Sequence, residues 1–270
     1  MFRQHLYVRA AQGERDFRWR GGEVSRIEGL TDGVFALAIA LLVISMEVPH
    51  TIDELVEAFV QAPVFLACFA SLFLCWHSHF QFHRRYGLED PLTLLLNGVM
   101  IFLVALYVYP LKFLFGVLWN GLVLGRGFNV LDSHGNPVLD SEGGTIPAVG
   151  ALDTMVDLMV LYGLGFAAVF LAFFLMTLHA WAWRDRLELD DRERLLTKAG
   201  LCSHAISISF GGGSALLAAV WSHPGVAGFM YCGLGPVQAA NGIYWDRRVV
   251  RLRPDVDTTE NPADDLVGGP

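Results

Sequence analysis

Few side chains in this sequence could do chemistry, and most of them sit among apolar neighbours. Asp32 opens a run that continues Gly-Val-Phe-Ala-Leu-Ala-Ile-Ala-Leu-Leu-Val to residue 43 and stands two turns inside Arg26. A carboxylate in such a run is costly unless partnered, so Asp32 calls for a neighbour. It either caps or pairs at the edge of the apolar layer or touches an ion directly; its place near Arg26 favours the structural role. His77, His79 and His83 form a second group, with His79 and His83 four apart on one helix face, a spacing that suits a metal or haem. No carboxylate and no second clear histidine pair accompanies them, and His179 and His204 stand elsewhere. Histidines satisfied by their neighbours are therefore the simpler reading, and no cofactor or bound metal is expected. Cys68, Cys75, Cys202 and Cys232 lie in apolar segments without Cys-x-x-Cys spacing and read as small hydrophobes.

The elements that must position these residues are membrane helices. Of 270 residues, 54% are hydrophobic and 17% charged, and the mean hydropathy is +0.44. A soluble chain carries about 25% charged residues and breaks its apolar runs every few positions. Here the runs extend over roughly 20 residues, the length a helix needs to cross the hydrocarbon layer. A net charge of -8 argues against a nucleic-acid partner, and nothing points to an enzyme. Residues 1–25 carry Arg3, Arg9, Arg15, Arg18 and Arg20 without an apolar core or a small-residue cleavage site, so no cleavable signal peptide is expected there.

Six spans are expected, at 26–48, 57–83, 91–117, 151–183, 198–221 and 225–246. Pro91 suits the first turn of the third, whereas Pro110 lies inside it and should kink it. With six spans, every Lys and Arg except Lys112 and Arg126 falls on one side. Both termini are then cytoplasmic in a multi-pass protein of a prokaryotic plasma membrane. The chain divides into a basic cytoplasmic segment (1–25), a six-helix membrane domain (26–246) and an acidic, disordered cytoplasmic tail (247–270). The stretch 119–150 has the turn chemistry of a small outer hairpin. Gly211, Gly212 and Gly213 fit either a broken helix, as in a secondary transporter, or a tight helix crossing.

On the first span, at about 100° per residue, Leu37, Leu41, Ile44 and Val48 share a stripe with Ala40 at its edge, and Asp32 falls on the far side. That stripe either lines a pore or faces lipid.

Arg26-x-x-x-Leu30-Thr31-Asp32, the helix that follows, and Val48-Pro49 resemble the Arg-x-x-x-Phe-Ser-Asp signature and first helix of the transmembrane protein 175 family of endosomal and lysosomal potassium channels and their prokaryotic relatives. Leu30 replaces Phe and Thr31 replaces Ser, keeping apolar and hydroxyl character. Trp76-His77-Ser78-His79 resembles the family's Trp-x-x-His element, with Phe80 interrupting its doubled His, and Asn97 to Leu114 resembles its third helix.

The resemblance implies an all-α fold of six membrane helices, assembled as a homotetramer with the first helix around a central pore. The implied function is a potassium-permeable cation channel, with potassium ions, membrane lipid and copies of itself as partners. No Thr-Val-Gly-Tyr-Gly loop occurs, and Tyr162-Gly163 lies within an apolar span, so a carbonyl filter is not expected. Carried over, the family's pore positions fall on Leu37, Ala40, Leu41 and Ile44, with Leu37 as a dewetting constriction. Many members carry a hydroxyl at the position of Ala40, where this chain has none, so selectivity should be weaker. Arg26, Leu30, Thr31, Asp32, Trp76 and His79 take the structural motif, knotting spans one and two together. The rival readings are a secondary transporter, or a membrane haem or metal protein using His77, His79 and His83.

Overall fold

The computed structural model describes residues 17–45, 48–125, 152–221 and 224–252, and these fold as an all-α protein. Five helices are long and apolar enough to cross a membrane. They are α1 (Arg26–Ile44), α3 (Ala62–Tyr86), α4 (Pro91–Leu118), α5 (Leu152–Ala182) and α6 (Asp191–Trp221). A short helix α2 (Ile52–Val60) lies between the first two, and α7 (Pro224–Met230) and α8 (Leu234–Val250) follow the last.

Polar caps set the starts of the helices. The Ser25 hydroxyl accepts from the Glu28 N–H while the Glu28 carboxylate accepts from the Ser25 N–H, so α1 begins in a reciprocal capping box. Asp90 caps α4 by accepting from the Leu92 and Thr93 N–H groups, with Pro91 next in the first turn. Asp190 and Glu193 cap α6 in the same reciprocal way, at 2.8 and 3.0 Å. Because of that cap α6 starts at Asp191, ahead of the expected 198: its first two turns are charged, and the apolar run begins only after them.

The expected second span splits. Thr51 caps a separate amphipathic helix, α2, and Pro63 near the start of α3 opens a new helix that runs on to Tyr86. α3 stops at Gly87, whose left-handed φ of 59° brings its backbone against Arg20 and Gly21, where any Cβ would sit 3.1 Å from backbone atoms. α4 continues through Pro110. In place of an unbroken span at 225–246 the chain forms α7, one 3-10 turn at Tyr231–Gly233, and α8. The expected hairpin falls mostly on 126–151, outside the described residues; what is described of the stretch is helical to Val123.

The core joins α1, α3, α4 and α5 through Phe35, Ala38, Leu42, Cys68, Leu72, Met100, Val104, Val108 and Phe173. α5 and α6 form the most extensive helix pairing. They can do so because Gly163 and Gly211 face each other: a Cβ on either would lie within 3 Å of the other's carbonyl oxygen. α6 runs unbroken through Gly211, Gly212 and Gly213, and of the three it is Gly211 that serves the tight crossing with α5.

Candidate functional site

α1 presents two faces. Glu28, Thr31, Phe35, Ala38 and Leu42 are buried, one turn after another, against α3, α4 and α5. The opposite face leaves Gly33, Ala36, Leu37, Ala40 and Ile44 exposed in the single chain, Leu37 at 59% and Ile44 at 74%, with Leu41 at the flank. Val48 lies beyond the helix end. An apolar face bare on an otherwise packed membrane helix meets lipid, another copy or a water-filled path.

At its Arg26 end α1 is tied down from several sides. The Asp32 carboxylate accepts from the Trp76 indole N–H at 2.8 Å. Thr31, fully buried, donates to the Ile27 carbonyl at 2.8 Å and accepts from the Asn97 amide at 2.9 Å. Asn97 lies beside His79, yet Asn97 Oδ1 and His79 Nε2 are both buried without a hydrogen-bond partner among the described residues. His79 and His83 rings stand 4.4 Å apart, while His77 turns away to stack near Phe73 and meet Gln81. Arg26 and Leu30 are exposed. The basic group that reaches α1 here is Arg84, 3.8 Å from the Glu28 carboxylate and 2.8 Å from the Gly22 carbonyl. Among the described residues no cluster of three or more His, Cys, Asp or Glu could hold a metal.

Sequence reasoning missed a larger clasp beneath this network. The Glu193 side chain is fully buried, yet Arg20 reaches it at 2.6 Å and the Arg18 N–H at 2.8 Å. Arg20 also donates to the Leu187 carbonyl, and the Arg20 and Gly21 N–H groups donate to the Arg84 carbonyl. The segment before α1 therefore staples the α3 end to the α5–α6 turn, with Phe17 packed against Tyr86 beside it. The Asp-x-x-Glu spacing at 190–193 was the available signal; that its carboxylate would also bind arginines 170 positions earlier was not legible. On the α5 side, His179 lies 2.9 Å from Asp90. Burial pushes the Asp90 carboxyl upward, but hydrogen bonds from Thr93 and His179 outweigh that and hold it below the ordinary carboxylate range.

At the other end of α1, Lys112 of α4 donates to the Ser45 carbonyl at 2.9 Å and to its hydroxyl at 2.6 Å. Nearby, Trp119 donates to the Val60 carbonyl and Gln61 to Asn120, which fastens the α2–α3 junction to the end of α4.

The chain is similar to known channels. Residues 26–108 match the family described as the endosomal/lysosomal potassium channel TMEM175. A relative from Marivirga tractuosa named a potassium channel is 34% identical over 203 residues, covering 72% of this chain and 74% of its own length. A second, from Chamaesiphon minutus and also named a potassium channel, is 34% identical over 96 residues, covering 33% of this chain and 47% of its own. A crystal structure of a variant of the potassium channel MtTMEM175, in complex with a nanobody fusion protein, superposes with a TM-score of 0.69. It is 32% identical and covers 87% of this chain and 98% of its own.

Proposed function

This chain belongs to the TMEM175 family, and from that membership we propose that it is a potassium-permeable cation channel of a cell membrane whose pore is lined by α1. The observation that carries the reading is the bare apolar stripe of Leu37, Ala40 and Ile44 on a helix whose other face is packed, in a chain alike over most of its length to channels.

In this reading the subunit crosses the membrane six times, with the broken segment α7–α8 as the last crossing and both termini in the cytoplasm. Four copies surround the pore. Residues 26–246 form the channel domain, 1–25 a basic cytoplasmic segment and 247–270 a cytoplasmic tail. The pore contains no carbonyl filter. Its narrowest point is a ring of Leu37 side chains, where a dry constriction favours the more weakly hydrated potassium over sodium, with Leu41 and Ile44 continuing the wall. At Ala40 no hydroxyl meets a partly dehydrated ion, so the preference is modest. Thr31, Asp32, Trp76 and His79 keep α1 in register and stay off the ion path. Lipid covers the remaining exposed apolar faces.

Flux measured in liposomes with potassium, then sodium, as the sole permeant cation tests this. Wild-type protein passes potassium faster than sodium, and Leu37→Ala speeds both and narrows the difference. Absence of flux from intact assemblies of either protein overturns the channel reading.

A further inference from the structure

We propose that Lys112 is a positioning residue for conduction: it fixes the Ile44 end of α1, and so sets the shape of the pore's outer mouth. The inference rests on α1 being the pore helix. α1 ends at Ile44 with Ser45 as its cap, and the last carbonyls of a helix have no partner within it and carry the negative end of its dipole. The last turn of α1 holds no basic residue to answer that charge. Lys112 supplies it from a neighbouring helix, through the bonds to the Ser45 carbonyl and hydroxyl.

The contact is relayed backward. The Ser45 hydroxyl donates to the Leu42 carbonyl at 2.7 Å, and the Ser45 N–H donates to the Leu41 carbonyl at 3.0 Å. Leu41 and Ile44 belong to that same turn, so the ammonium group of one lysine holds the turn that carries two of the pore positions. Among the described residues Lys112 is the one side chain from another helix that donates a hydrogen bond to this turn.

A cation near the mouth of a cation pore should repel the permeant ion. Seated on a helix C-terminus, the charge of Lys112 is locally matched by the dipole and by two oxygen acceptors, so the lysine can anchor the mouth without closing it electrostatically. Lys112 itself is partly buried, its apolar stem able to lie along the helix while the ammonium reaches Ser45.

Single-channel recording in planar bilayers tests the assignment on Lys112→Met, Lys112→Arg and Ser45→Ala, with Leu37→Ala in parallel. Lys112→Met changes the unitary potassium current by about twofold or more and moves the potassium/sodium reversal potential toward zero preference. Lys112→Arg restores both, because it supplies charge and donors. Ser45→Ala keeps the carbonyl acceptor and shifts both in the same direction by less; combined with Lys112→Met it adds nothing further. A lysine needed only for folding would lower the number of active channels and leave unitary current and reversal potential at wild-type values, which overturns the proposal. If Lys112→Met does not assemble, wild-type unitary behaviour of Ser45→Ala overturns it. When Leu37→Ala alters permeation and Lys112→Met does not, this inference alone falls; when neither does, the pore reading falls and takes it along.

Discussion

The two ends of α1 are secured in opposite ways. At the Arg26 end a capping box, the Trp76–Asp32 and Asn97–Thr31 bonds, the Arg84–Glu28 pair and the Arg18/Arg20–Glu193 clasp converge from the segment before the helix, from α3 and α4, and from the α5–α6 turn. At the Ile44 end one lysine meets one serine. A redundantly tied end resists change at any one of its bonds, whereas an end with one polar tie to a neighbouring helix, beside its apolar packing through Leu42, can have that tie altered alone. Substitutions at the first end should therefore register as loss of assembly, and those at the second as changed permeation.

The sharpest challenge to that division is Glu193→Ala. It strands Arg20 beside a buried site and undoes contacts to three residues, Arg18, Arg20 and Asp190, so it should destabilise the protein by about 3 kcal/mol and collapse the yield of monodisperse protein on size exclusion. Glu193→Gln, which keeps an acceptor oxygen, should fall between. A wild-type melting curve for Glu193→Ala would show the clasp to be incidental. Next in size, Asp32→Ala should reduce assembled protein before it changes ion preference, and Trp76→Phe should reproduce the loss in milder form by deleting the same bond. Wild-type assembly of Asp32→Ala with altered selectivity would move Asp32 onto the ion path. Asn97→Ala frees the Thr31 hydroxyl within a dry core and should cost about 1–2 kcal/mol in thermal unfolding, with reversal potential unchanged.

The smallest effect is expected at Asp90, whose carboxyl titrates below its ordinary value in the folded chain. A depressed carboxyl adds stability that is complete above the unfolded value of about 4 and fades as pH falls through the folded value. Melting of the wild type should therefore drop more steeply than that of Asp90→Asn as pH is lowered below about 4, and the two should run parallel above it. Parallel curves throughout would leave Asp90 as a helix cap with no acid-labile part.

Much of this was written in the residue pattern. The apolar runs at 26, 91 and 151 became helices within a few residues of where the hydropathy put them, because a chain in hydrocarbon must satisfy its backbone internally and a helix does so locally. The exposure of Leu37, Ala40 and Ile44 was legible for a similar reason, since periodicity of 3.6 residues divides any helix into faces, whereas Leu41 lies at the flank and Val48 beyond the helix end. The boundaries at Ala62 and Asp191 were not, because caps and prolines inside polar stretches set them while hydropathy sees only the apolar middle. Gly211 against Gly163 was one of two readings until the approach of the two helices chose between them.

By itself, then, the sequence determined that this is a helical membrane protein, its likeness to the TMEM175 channels, and an apolar stripe on α1 that includes Leu37, Ala40 and Ile44. Only the tertiary structure decided which charges meet. Glu193 with Arg20, Lys112 with Ser45 and Arg84 with Glu28 are joined across 173, 67 and 56 positions, and no local pattern encodes such pairs. Charges at membrane boundaries look alike in a sequence, each a basic or acidic residue beside an apolar run. What distinguishes an anchor from a solvated charge is the carbonyl or carboxylate that another part of the fold brings within 4 Å of it, and that is a property of packing.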